Sequence, residues 1–298
     1  MLPCYGKMVT RKKKRGAKMA KNNKIEASDD SFFYWRKWDE TPVVSNYNIH
    51  THEEYELLIF IRGDASFIVE GVEHPLSPMD AIVTCPGEMH QIYLRSVSSY
   101  ERVVLSLNDQ FFVNNDCVRY RDIFTNREMG TENIIRSDSI KNSAILDAVE
   151  RIDRYINEGE DNEVVIRCAV IELLHALNQL KPEKTTGLPQ SVAVRKTSAY
   201  INRNLTGELS LDVLAEQLFV SKYYLCRIFK KYTGMTIGRY ITHKRLMLAK
   251  DLYQNGHSLS EAAALSGFAD YSAFYKACVK ETGQPPRKGI YKALSMNG

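Results

Sequence analysis

The 298-residue chain has no apolar run near the ~18–20 residues that cross a bilayer, so no membrane partner is expected. No apolar stretch follows its first positive charges, so a secretory leader is not expected either. Its six cysteines (Cys4, Cys85, Cys117, Cys168, Cys226 and Cys278) are scattered without a CxxC pair. That spacing argues against a zinc knuckle and against a disulfide framework, and for a reduced, cytoplasmic protein. Acidic residues are missing from the first 24 positions, which hold nine Lys/Arg. Without apolar periodicity, residues 1–30 read as a disordered basic tail.

What is present is an ordinary globular composition, 44% hydrophobic and 26% charged, at a length that suits two domains. The net charge of +4 hides a segregation. Residues 25–189 carry 15 basic and 29 acidic side chains, whereas 190–298 carry 16 basic and seven acidic. A basic block behind an acidic one is the electrostatic footprint of a nucleic-acid-binding domain joined to a domain that avoids nucleic acid.

From about Phe32 to Ser106 the chain reads as short strands, among them Val43–Tyr47, His52–Ile61, Ala65–Val69, Ala81–Cys85 and Arg102–Leu107. Gly63-Asp64, Gly71, Pro75, Pro78 and Pro86-Gly87 punctuate them, so a small barrel or sandwich is expected. The period then changes. Ile145, Leu146, Val149, Ile152 and Ile156 share one helical stripe, and Val164–Leu180 reads as a second helix. These helices either pack on the barrel or pair with a second chain. The polar KPEKTTGLPQ run, 181–190, reads as a linker.

The last third contains a duplicated unit. Ala215–Gly234 and Ala264–Gly283 align at an offset of 49, which matches Phe219 with Phe268, Lys231 with Lys280 and Gly234 with Gly283. Ser210 and Ser221 are placed to cap two helices of the first unit, and Ser258 with Glu261 forms an S-x-x-E capping box in the second, where Asp270 caps the next helix. Each copy therefore reads as a helix-turn-helix. Lys222, Tyr223, Cys226 and Arg227 are expected outward on the second helix of unit one, with Tyr271, Ser272, Tyr275 and Lys276 outward in unit two. Thr236–Gln254 reads as one long helix between them. At ~1.5 Å per residue it spans roughly 28 Å, near the ~34 Å between successive major-groove faces.

Leu214-Ala215, the S-x-x-x-L-x-R-x-F-K run Ser221–Lys230, Gly234, Arg245-Leu246 with Ala249, and Gly267-Phe268-x-Asp270-x-Ser272-x-Phe274 together resemble the DNA-binding domain of the AraC/XylS family of transcription regulators, over roughly Val192–Tyr291. The resemblance implies base-facing roles for Tyr223, Cys226, Arg227, Tyr271, Ser272, Tyr275 and Lys276. Phosphate contacts are expected from Lys222, Lys230, Lys231, Lys276 and Lys280. Two departures stand out: Cys278 replaces the usual aromatic, and Pro285–Ile290 lacks the usual P-x-x-Y-R ending.

His50-x-His52-x-x-x-Glu56 and Pro86-Gly87-x-x-His90 resemble the two motifs of a cupin barrel. On one regular strand, positions 50, 52 and 56 point to the same face. Family members commonly carry such a barrel as an effector domain, so His50, His52, Glu56 and His90 are expected as pocket groups, with Tyr47 and Tyr93 as stacking walls. A carbohydrate is the effector class that the resemblance favours. Three readings stay open: a ligand pocket, purely structural histidines, and a metal centre with a sensing or enzymatic role. The first implies no metal, no cofactor and no enzymatic activity.

The resulting expectation is an α+β chain with a cupin-like effector and dimerisation domain at 31–180, a linker at 181–190, and an all-α double helix-turn-helix domain at 191–298. Promoter DNA, a small-molecule effector, RNA polymerase and a second copy of the chain are the expected partners.

Overall fold

A computed structural model describes residues 24–43, 49–159, 162–184, 188–189 and 191–289. The N-terminal half is built on two sheets. Strands β1 (Lys24–Ser28), β2 (Phe32–Asp39), β3 (Tyr55–Arg62), β4 (Ala65–Val69), β5 (Val72–Pro75), β6 (Ala81–Thr84), β7 (His90–Leu94) and β8 (Tyr100–Leu107) precede a short β9 (Ile134–Ile135) and β10 (Leu188–Pro189). One sheet runs β1-β2-β8-β3-β6-β9, the other β10-β5-β4-β7. Lys24–Ser28 thus forms a strand paired with β2, which corrects the expectation of a disordered tail through residue 30. The expected strand at Val43–Tyr47 lies largely outside the described residues.

Strands β3, β6 and β8 of the six-stranded sheet are largely buried on both faces, and strand alternation sorts their side chains. Along β3, Tyr55, Leu57 and Ile59 join a cluster with the helices outside the barrel, while Leu58 and Phe60 pack inward with Phe67, Ile92, Leu94, Tyr100 and Val104. Short helices α1 (Asp109–Asn114), α2 (Asp122–Thr125) and α3 (Ser137–Lys141) lead to α4 (Ile145–Glu158) and α5 (Glu163–Asn178). The apolar stripes of these last two are spent on their own barrel: Ile145, Ala148, Val149, Ile152, Ile166, Val170, Leu173 and Leu177 are all in the outer cluster. Asp153 fastens α4 by accepting from Tyr34 Oη (2.7 Å) and Arg36 Nη1 (2.8 Å).

The expected linker is partly sheet. Leu188 and Pro189 pair with Glu73 and Val72 of β5, so the connection is stitched to the barrel before α6 (Val192–Arg203) begins. The C-terminal half then continues as α7 (Leu211–Gln217), α8 (Lys222–Thr233), α9 (Ile237–Gln254), α10 (Leu259–Leu265), α11 (Tyr271–Thr282) and α12 (Pro286–Gly289). Two cores flank α9. Leu214, Leu225, Phe229, Tyr240 and Ile241 form the first, and Leu246, Ala249, Ala262, Phe274 and Cys278 the second. The altered ending packs nonetheless: Gly289 sits so close to α11 that a Cβ there would lie 2.4 Å from Thr282 Oγ1. Only the absence of a side chain admits that turn.

His243 of α9 is 1% exposed, and neither ring nitrogen has a hydrogen-bond partner. Burial, then Lys244 and Arg239, push its pKa down to about 3. The unfolded chain therefore binds a proton near pH 6.5 that the folded chain refuses until about pH 3. This contribution is complete above pH 6.5 and is lost as the pH falls. Urea unfolding should show a loss of about 1–2 kcal/mol between pH 7 and pH 5 from this group. His243→Leu should flatten that part of the slope, and an unchanged slope would refute it.

Candidate DNA-reading helices and histidine centre

Both helix-turn-helix units are set by their caps. Ser221 Oγ accepts from the Tyr224 amide (3.2 Å), and Gly234 ends α8 in the left-handed region at φ 72°. Asp270 Oδ1 accepts from the Ala273 amide (2.7 Å), and Gly283 ends α11 at φ 69°. The capping box at Ser258 and Glu261 is complete. The second helices repeat at 49 residues, but the first helices repeat at 48: Ser210 and Ser258 are equivalent caps, and Phe219 and Gly267 occupy the equivalent positive-φ turn. Phe219 therefore matches Gly267, not Phe268, and the half-buried Val220 matches Phe268. Unit two carries one extra residue in its turn. Phe219 is left 95% exposed, a feature that the 49-residue alignment concealed.

On α8, Leu225 and Phe229 are buried while Lys222, Tyr223, Arg227, Lys230 and Lys231 are exposed. The Arg227 guanidinium lies 6.0 Å from the Tyr223 ring centre, so the two form one projecting unit. Lys222 pairs with Asp212 at 2.5 Å. Cys226 is half-buried against the core, a correction to its expected outward position, because it neighbours Leu225 at the edge of the buried stripe. On α11, Tyr271, Ser272, Tyr275, Lys276 and Lys280 are exposed, though the Tyr271 ring also leans on Phe274 at 5.6 Å.

The second site is at one end of the barrel. His50, His52 and Glu56 do not lie on one regular strand, since the chain bends at residues 53–54 and β3 starts at Tyr55. An antiparallel bridge between His50 and His90 assembles the group instead. The three imidazole ring centres are 4.4–5.9 Å apart, and one nitrogen of each lies within 4.8 Å of the others. Glu56 faces His52 Nε2 at 3.4 Å and His90 Nε2 at 3.7 Å. Tyr93 is on the opposite face of β7 from His90 and is 45% exposed, so it walls no pocket here. Tyr47 lies outside the described residues.

The tautomers follow from the outer partners. Nδ1 of His52 meets the Glu54 carbonyl at 3.1 Å, and Nδ1 of His90 meets the Glu88 carbonyl at 2.8 Å. Each Nδ1–H donates outward, and each Nε2, buried without a hydrogen-bond partner, turns a lone pair toward the Glu56 carboxylate. Two lone pairs and an anion demand a cation among them, either a proton or a metal ion. Burial, then His50 and His52, drive the His90 pKa down to about 3. Burial disfavours the charge on Glu56, yet His52 and its neighbours hold that carboxyl near a pKa of about 2. Burial also opposes a charge on His52, but Glu56 outweighs it and raises that pKa. Tetrahedral ligands about 2.1 Å from an ion are about 3.4 Å apart, so nitrogens within 4.8 Å of one another have to close by up to roughly 1.4 Å to grip one.

Comparison with known proteins covers both halves of the chain. Residues 214–289 match the helix-turn-helix domain family, and residues 43–114 match the AraC-like ligand binding domain family. The HTH-type transcriptional activator RhaR of Cronobacter sakazakii is 25% identical over 253 residues, 80% of this chain and 84% of that protein. The bifunctional transcriptional activator/DNA repair enzyme AdaA of Bacillus subtilis is 34% identical over 102 residues, 34% of this chain and about half (48%) of AdaA. A crystal structure of ToxT from Vibrio cholerae aligns with 88% of this chain and 98% of that one at 13% identity and a TM-score of 0.34. A ligand-binding barrel joined to tandem helix-turn-helix units defines an effector-responsive transcription regulator. Over residues 43–114 and 214–289 the chain is similar to the AraC family of transcription regulators.

Proposed function

We propose that this regulator responds to a divalent transition metal held by His50, His52, His90 and Glu56, and that it passes the response to α8 and α11 on promoter DNA. The observation that carries the metal reading is the pair of buried Nε2 atoms, turned inward by outward Nδ1–H bonds and facing the Glu56 carboxylate. Neutral imidazoles and a carboxylate suit such an ion. A carbohydrate is a poorer fit, because among the described residues Phe67 stacks on His90 at 5.6 Å and packs with Phe60, Ile92 and Tyr100 in the barrel interior.

Tyr223 and Arg227 supply the main base contacts in this reading, with Tyr271, Ser272, Tyr275 and Lys276 following in the second unit. Lys222, Lys230, Lys231 and Lys280 position the phosphates. The protein works in the cytoplasm as a homodimer that engages RNA polymerase and catalyses no reaction of its own. With the apolar stripes of α4 and α5 consumed by the barrel, dimerisation falls to their outer faces, where Val164, Val165 and Cys168 are exposed.

Elemental analysis and thermal shift test the metal reading. One equivalent of zinc or cobalt per chain is expected, lost in His52→Ala, and an ion at 100 times its Kd should add about 2.7 kcal/mol of stability. No uptake by the metal-stripped chain, with a shift produced by a sugar instead, would reverse the assignment.

A further inference from the structure

The barrel and the DNA-binding half share a buried polar joint. Lys244 of α9 donates from Nζ to Glu70 Oε1 (2.8 Å) and to the Gly87 carbonyl (2.7 Å). Tyr240, one turn earlier, donates to Glu70 Oε2 (2.6 Å). Lys244 and Glu70 side chains are each 4% exposed. Glu70 Oε1 also accepts from the Met89 amide (3.1 Å). Breaking one partner of such a buried pair strands a charge, so the joint resists separation.

The segments that make this interface are the ones that carry the histidines. Ile49, beside His50, packs into the first helix-turn-helix core, and a Cβ at Gly234 would come within 3.0 Å of it. Glu53, beside His52, pairs with Lys250. Gly87 is in close range of Met247, and Met89, beside His90, is buried in that same core. On α9 the partners Tyr240, Lys244, Met247 and Lys250 form one stripe, spaced four, three and three residues. That helix contributes to the cores of both DNA-reading units.

We infer that the Glu70–Lys244–Tyr240 joint is a latch that makes α9 a wall of the histidine centre, so that occupation of the centre repositions the recognition helices. The coupling rests on the metal reading above; the latch does not. A bound ion contracts the loops at 49–53 and 87–90, and α9 moves with them because its stripe is fastened to both.

The test uses the full chain and the double variant Glu70→Gln/Lys244→Met, which removes both charges together. Hydrogen exchange is measured with and without one equivalent of zinc chloride. In the wild type, zinc should slow exchange at least threefold in segments 49–54, 87–92 and 237–254. In the double variant it should still protect 49–54 and 87–92 but leave 237–254 unchanged. Tyr240→Phe, which loses one hydrogen bond, should respond between the two. Equal zinc protection of 237–254 in wild type and double variant would overturn the coupling. Zinc protection nowhere in the wild type would sink the metal reading and the coupling with it. Calorimetry judges the latch separately: one joint transition is expected in the wild type and two in the double variant. A single transition in the double variant, or two in the wild type, would overturn the latch.

Discussion

Arg227→Ala should weaken binding to the chain's own promoter fragment by roughly 10–100-fold, while binding to random duplex falls only a few-fold. The expectation comes from the position of the guanidinium. It projects from the middle of α8, one turn beyond the exposed Tyr223 and opposite the buried Leu225 and Phe229. Its planar fork can bond one guanine at two points, a contact worth about 1–3 kcal/mol of discrimination. A phosphate contact would instead weaken all sequences alike and lower the salt slope by about one charge. Lys222→Ala is the control. Its ammonium already pairs with Asp212, so its loss should be smaller and indifferent to sequence. Fluorescence anisotropy at one fixed salt concentration on both duplexes decides the matter. Equal losses for Arg227→Ala would reduce it to a phosphate contact.

The recognition helices were legible because their determinants are local. A capping side chain, apolar positions at helical spacing and a glycine in the left-handed region all act within a few residues of one another. The turn at Phe219-Val220 was legible before the Ser221 cap, but its equivalence to the turn of the second unit was not. Alignment at 49 residues pairs Phe219 with Phe268 as it does Gly234 with Gly283, yet only the glycines are equivalent, because the extra residue in the second turn shifts the first helices to 48. The same limit applies at the barrel. Glu56 and His90 were recognisable by spacing, but Tyr93, three residues from His90, must face the other way on a strand. Lys24–Ser28 looks like a charged tail because only Ala27 in it is buried, and its strand exists through pairing with β2. Glu70 and Lys244 are ordinary surface residue types in the sequence. Their meeting across 174 positions has no local signal at all.

Glu88 shows how an acidic residue with no role in the sequence reading can govern the barrel. Its carboxylate is fully buried and accepts from Arg127 Nη1 (2.8 Å) and Nη2 (2.6 Å), the Gly130 amide (2.6 Å), the Cys85 amide (3.0 Å) and Asn133 Nδ2 (3.1 Å). Glu88→Gln keeps the shape but turns an NH2 group toward donors and leaves the Arg127 guanidinium, 2% exposed, without its counter-charge. A loss of about 3–5 kcal/mol is expected, as for other broken buried pairs. That should lower the barrel's melting temperature by at least about 6 °C. Burial works against the carboxylate, but Arg127 more than compensates and holds its pKa near about 2, below the ordinary 4.5. Its stabilisation is therefore complete above pH 4.5 and disappears as the pH falls toward 2, a lower window than that of His243. In Glu88→Gln this acid limb should shrink to the part contributed by Glu56, also held near a pKa of about 2, while the His243 limb remains. Replacing both partners, as in Glu88→Leu/Arg127→Met, should recover part of the loss, since no charge is then stranded. A single variant that melts with the wild type would show that the Glu88–Arg127 pair holds nothing together.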